Sequence, residues 1–210
     1  MNDGIATAAG IAEGFATAGA RTGTLLLAGG VLILTGGLAA AGARYSEEQT
    51  EWEMNRSLLD AERASIEAEP QAEFEELVDI YEAKGLSEGL ARQVAQALSE
   101  RDPIAAHADA ELHLDSTASP LASLHAAVIG GLFYSLGAVI PLAVVSASPV
   151  GPRTELTVVG ALLALALTGC VTSWLTGLPL LRLVRRNLVL GVATMAAGVV
   201  IGLVSGVNSP

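Results

Sequence analysis

The chain has 210 residues, 51% of them hydrophobic, yet it carries a formal net charge of −11 from 22 acidic and 11 basic residues. Apolar and charged residues in these amounts must be segregated along the chain, which excludes an ordinary soluble domain, and so acidic a polar part makes nucleic acid a poor partner. The lone Cys170 excludes a disulfide framework and a cysteine-based metal site.

A bilayer core about 30 Å thick is crossed by about 20 mostly apolar helical residues. The first candidate span runs from Gly4 to Ala20 and is short, rich in Gly and Ala, and interrupted by Glu13. With no basic residues ahead of it and acids inside it, it does not read as a cleavable signal peptide. Arg21 marks a tight turn into a second span, Thr22 to Ala43, so that residues 1–43 form a membrane hairpin.

Charge then changes abruptly. Nineteen of the 22 acidic residues fall between Glu47 and Asp115, and the stretch from Ser46 to Asp115 holds only five basic residues. Residues 44–118 therefore read as a polar helical insert. Pro70, which fits an early helical position but cannot donate within a helix, ends one helix and starts the next. Leu77, Ile80 and Tyr81 give that second helix an apolar stripe, and Gly85 ends it. Ser87 is placed to cap a third helix with Leu90, Val94 and Leu98 on one face. A short fourth helix is expected to hold His107, Asp109, Glu111 and His113 before Pro120 returns the chain to the membrane.

Residues 119–210 supply three more spans, Leu121 to Ser146, Leu156 to Thr176 and Leu188 to Val207, separated by short connections, one of them carrying Arg182, Arg185 and Arg186. The fold class is thus an all-α integral membrane protein of five transmembrane helices, with the insert between spans 2 and 3. Basic residues in short connections stay on the cytoplasmic side. Placing the insert and the Arg182–Arg186 connection inside puts nine basic residues there against Arg21 and Arg153 outside. The N-terminus and insert are then cytoplasmic. Glycines recur at every fourth position at Gly10 and Gly14 and at Gly198, Gly202 and Gly206, a spacing that lets helix backbones approach closely, either within one protomer or between two.

Carboxylates on neighbouring helices suit hard or borderline divalent cations. Glu62 lies before Pro70, and Glu73 and Glu76 after it share a helix face at a spacing of three, so a bend at the proline brings the three toward one another. Within the apolar segments an ionisable residue is costly and a functional candidate by default, which singles out Glu13, and Asp3 at the interface. His125, one turn into the third span, is either a ligand or proton acceptor or an interfacial side chain. No Gly-rich phosphate loop and no zinc-spaced Cys or His pair occurs, so a membrane enzyme is not expected.

The opening DGIATAAGIAEG resembles the first span of the vacuolar iron transporter family, including its bacterial relatives. The insert sequence ERASIEAEPQAEFEELVDIYEAKGLSEGLARQVAQAL and the following AHADAELHLD are similar to that family's cytoplasmic metal-binding helices. SPLASLHAAVIGGLFYSLGAVIPL and LPLLRLVRRNLVLGVATMAAGVVIG then continue the likeness in order, over nearly the whole chain. The resemblance implies a homodimer in a prokaryotic plasma membrane that moves ferrous iron or manganese out of the cytoplasm in exchange for protons, with zinc a further candidate substrate. It implies no resident cofactor; the partners are lipid, a second copy, metal ions and protons. By matching position, Glu62, Glu73, Glu76 and Glu111 fall on metal-binding glutamates, His107 stands where some relatives carry methionine, and Ser65 and Ala108 where some carry further acids. Asp3 falls on the first-span aspartate of the transport path. Leu32 and Ala40 replace a glutamate and a methionine of the second span, and Glu13 is the residue able to supply the missing carboxylate. A membrane-anchored metal-binding or sensing protein without transport is the competing expectation.

Overall fold

In the computed structural model, which describes residues 1–111, 120–149 and 151–206, eight helices and no strand occur among the described residues. They are α1 (Asn2–Thr17), α2 (Thr22–Ala68), α3 (Pro70–Ala83), α4 (Glu88–Arg101), α5 (Pro103–Ala110), α6 (Pro120–Ala147), α7 (Arg153–Thr176) and α8 (Leu180–Gly206). They form two compact units, residues 1–44 with 125–210, and residues 45–124.

The first unit is apolar. Four helices are long and apolar enough to cross a bilayer, the apolar part of α2 together with α6, α7 and α8, which makes the chain a multi-pass membrane protein. Large apolar side chains such as Leu34, Leu38, Trp174 and Leu181 point outward with 70 to 83% of their surface free. Facing water, a surface of that kind would be driven to associate, whereas in a bilayer hydrocarbon covers it. The expected first span is α1, and its 16 residues are fewer than a full crossing needs.

Small residues set the packing of this unit. A Cβ on Gly198 would meet the carbonyl oxygen of Gly10, and one on Gly14 would lie 2.8 Å from the carbonyl oxygen of Gly198. The glycine stripes of α1 and α8 are therefore used against each other within one chain. Deeper in, Ile5 and Ala9 of α1 pack on Ala161 and Leu165 of α7 and Met195 of α8. Asn187 of α8 is buried and its side-chain amide donates to the Leu165 carbonyl oxygen at 3.3 Å and to Thr168 Oγ1 at 3.4 Å, joining α7 to α8. Gly198→Leu is expected to destabilise the bundle by about 1–3 kcal/mol, because backbone lies where the side chain must go. Thermal unfolding in detergent tests this, with Gly30→Ala, whose Cβ would meet nothing within 4 Å, as the unaffected control.

Two boundaries differ from expectation. The second span and the first insert helix are one uninterrupted helix, because nothing in GARYSEEQTEW breaks it. Arg182, Arg185 and Arg186 lie in the first turns of α8 and not in a connection, since the stop is set earlier, where Gly177 ends α7 with φ of 69° and Pro179 follows.

The second unit has a small core of its own: Leu77 and Val78 of α3, Ala91 and Ala95 of α4, and Ala106 and Ala110 of α5. Pro70 opens α3, and Gly85, at φ of 100°, supplies the left-handed turn after it. Ser87 occupies the N-cap position of α4 but makes no side-chain cap bond. Of the face expected on α4, Leu98 packs against this core while Leu90 is half exposed, and the fully buried residues of the helix are Ala91 and Ala95. Alanines allow α4 to approach α3 closely, and leucine at those positions would hold the helices apart. α5 begins at Pro103, where Asp102 caps it by accepting from the Ala105 backbone N–H at 3.0 Å. His113 lies outside the described residues.

Candidate metal site

Three elements of the polar unit contribute. Glu62 is on the polar half of α2, Glu73 on the first turn of α3 just past Pro70, and His107 in the middle of α5. Ala106 and Ala110 anchor α5 in the core, and Lys84 Nζ donates to the Ala110 carbonyl oxygen at 3.1 Å, fixing the end of the helix. His107, next to Ala106 on the helix, is thereby held with its side chain only 2% exposed.

Its Nδ1 lies 2.9 Å from Glu62 Oε1, 3.7 Å from Glu111 Oε2 and 3.9 Å from Glu73 Oε2. One ligand atom from each of Glu62, Glu73 and His107 falls within 4.8 Å of the others. Close as they are, Nδ1 and Glu62 Oε1 are not aligned for a hydrogen bond, and each is a buried polar atom with no hydrogen-bond partner. Buried polar atoms are seldom left so. Two ligands each about 2.1 Å from an ion and at right angles to each other are about 3.0 Å apart, so the pair has the spacing of neighbouring ligands of one cation.

Electrostatics agree with the geometry. Burial raises the pKa of Glu62, the positive form of His107 opposes that shift, and the charges of Glu111, Glu73 and Glu76 add to it. An ionised Glu62 is therefore short of positive charge, which a divalent cation supplies.

Of the residues expected to hold metal, Glu62, Glu73 and His107 converge, and Glu111, just past the end of α5, reaches the same imidazole. Glu76 is exposed and acts on the group through its charge on Glu62. Ala108 is buried and offers no donor. The two residues expected on a transport path lie in the apolar unit. Asp3 is exposed in the first turn of α1, where a negative charge complements the helix dipole. Glu13 is 1% exposed with Oε2 lacking a hydrogen-bond partner, and it continues the helix face begun by Ile5 and Ala9, which packs on α7 and α8. His125 is exposed. Sequence reasoning missed Lys84, whose role depends on the fold bringing Ala110 to it, and the Asp102 cap, which the Asp-Pro pair could have announced. It also missed Asn187, whose signal was an amide inside an apolar run.

The sequence matches the profile of the VIT family over residues 1–203. It is also 30% identical over 190 residues to a protein of Acanthamoeba castellanii named vacuolar iron transporter, an alignment covering 87% of this chain and 70% of that one. With the match extending from the first helix to the last, through both the apolar spans and the polar unit that holds Glu62, Glu73 and His107, the chain belongs to the VIT family.

Proposed function

We propose that this protein transports divalent metal, ferrous iron and also manganese, out of the cytoplasm in exchange for protons. The observation that carries the reading is the convergence of Glu62, Glu73 and the buried His107 Nδ1 in a chain that has four helices long and apolar enough to cross a bilayer. The family match and the vacuolar iron transporter relative support metal as the cargo. In this reading α1 is a fifth, shortened span, supported by its packing on α7 and α8; the basic-residue distribution favours a cytoplasmic polar unit, and the membrane is taken to be a prokaryotic plasma membrane from the family resemblance alone. Two copies form the working transporter, and Asp3 and Glu13 contribute the path through the apolar unit.

A second reading, a membrane-anchored metal-binding or sensing protein, has one observation in its favour. The span half of α2 carries no ionisable side chain before Arg44, with Leu32 and Ala40 at the positions where a path would need polar groups. Flux measurement separates the two. Proteoliposomes are to be loaded with ferrous iron, manganese or zinc, with and without a pH gradient. Flux that follows the gradient is expected, and binding without flux overturns transport.

Acidification gives a further expected result. Because the folded-state pKa of Glu62 is raised, its own contribution stabilises the metal-free fold below the unfolded value, about 4.3, and is lost as pH rises through the raised value. Metal binds the ionised form and so reverses that preference. The gain in melting temperature produced by manganese is therefore expected to shrink as pH falls toward the raised pKa of Glu62, before ordinary glutamates titrate. A gain unchanged until pH reaches the ordinary glutamate range would show that Glu62 is not a ligand.

A further inference from the structure

We propose that His107 makes the metal site discriminate among divalent cations, so that affinity rises from manganese to ferrous iron to cobalt and zinc while magnesium and calcium are rejected. This deepens the transport reading and rests on it for the identification of the site with the cargo.

Carboxylates alone are permissive. Magnesium, calcium and manganese are satisfied by oxygen ligands, whereas imidazole nitrogen favours the later divalent metals, in the order manganese, iron, cobalt. What matters is whether the nitrogen is obligatory. Here it is held in place: α5 is fixed by the buried Ala106 and Ala110, by the Asp102 cap and by Lys84, and the imidazole has 2% of its surface free. It has no room to turn aside. Nδ1 stands 2.9 Å from Glu62 Oε1 and 3.9 Å from Glu73 Oε2, so an ion taken by those carboxylates meets the nitrogen as well. Nδ1 and Glu62 Oε1 both lack a hydrogen-bond partner, which leaves their lone pairs free for the ion.

Ligand number points the same way. Glu62, Glu73 and His107 give three donors, and Glu111, 3.7 Å from Nδ1, is placed to give a fourth. Separations from 2.9 to 3.9 Å suit small ions with ligands at about 2.0–2.2 Å, while calcium takes 6–8 oxygens at about 2.3–2.6 Å. Magnesium gives up its water reluctantly and gains little from a nitrogen ligand.

The test is calorimetric titration of the full-length protein in detergent with zinc, cobalt, manganese and magnesium, and with ferrous iron under anaerobic conditions. Wild type is expected to bind cobalt and zinc about 100-fold more tightly than manganese, with magnesium not competing. In His107→Gln, which keeps a polar side chain of similar size, cobalt and zinc affinity is expected to fall at least about tenfold and manganese affinity much less, so the ratio collapses. A measurement on unmodified protein guards against misfolding of the variant: the pulsed EPR spectrum of bound manganese should show nitrogen modulation from one imidazole. A cobalt-to-manganese ratio unchanged in His107→Gln, or bound manganese without nitrogen coupling, overturns the proposal. Iron flux with an unchanged ratio sinks the selectivity and leaves transport standing, and the expected ratio without flux does the reverse.

Discussion

Glu62→Gln is expected to weaken manganese or ferrous iron binding by the full-length protein by about 100-fold, or about 2.7 kcal/mol. Glutamine preserves the shape of the side chain but removes the negative charge and one of the two acceptor oxygens. Glu62 is the carboxylate nearest to His107 Nδ1, and its side chain, 11% exposed, is the least solvated of those facing the imidazole. Water therefore replaces its interaction with a cation least well. The fold should not suffer, because a neutral amide relieves the repulsion that Glu62 shares with Glu111, Glu73 and Glu76. Calorimetry and melting of the metal-free protein, measured together, separate the two effects. Glu76→Gln should cost much less affinity, because that exposed side chain acts on the site only through its charge. Glu75→Gln should cost none, since Glu75 is engaged on an exposed face by Arg92 at 2.6 and 2.8 Å. Equal losses for Glu62 and Glu75 would mean that the acidic surface attracts metal diffusely and that no site exists.

That ordering of the glutamates was only partly legible in the sequence. Pro70 and Gly85 act locally, through a missing N–H and a left-handed φ, and the helix breaks they imply are where the structure has them. Glu73 could thus be placed at a helix start next to Glu62. The spacing of three that joins Glu73 to Glu76 says that the two share a face, but not which of them is turned inward; the packing of α3 on α4 and α5 decides that, and leaves Glu76 outside. The inner face of α4 is decided in a related way. Leu98 of the expected face packs on the core, but close approach of two short helices buries Ala91 and Ala95 completely and leaves Leu90 half exposed, a steric demand that exists only once the partner helix is present. His107 reached the candidate set through the family resemblance, and its burial comes from tertiary contacts of α5. The apolar spans were the most legible part, because a bilayer imposes length and composition on each helix separately. Even there, the start of α8 was placed late: arginines read as a connection are compatible with helical turns at the end of a span.

The proposed path through the apolar unit is tested most sharply by Glu13→Gln, which is expected to abolish metal flux in proteoliposomes while leaving metal binding by the polar unit intact. Glu13 is 1% exposed, and its Oε2 has no hydrogen-bond partner. The face it continues is lined by Ile5 and Ala9 and covered by Ala161, Leu165 and Met195. An ionised carboxylate in such surroundings costs several kcal/mol unless a proton or a cation compensates it. Proton and metal compete for the carboxylate, so in the proposed dimer a divalent ion held by Glu13 of both copies displaces two protons, and two returning protons release the ion. Exchange coupling then needs only this side chain from each copy, which suits a chain whose α2 lacks polar groups at Leu32 and Ala40. Glutamine fills the same volume and has neither a proton to give nor a charge to hold metal. The variant should accordingly fold with at least wild-type stability, because it never pays for burying a charge, and still show no flux with or without a pH gradient. Asp3→Asn should reduce flux only in part, since Asp3 is exposed at the start of α1, where solvent and the helix dipole already stabilise its charge. Wild-type flux with wild-type pH dependence in Glu13→Gln would make Glu13 a packing residue and would move the transport path elsewhere in the bundle.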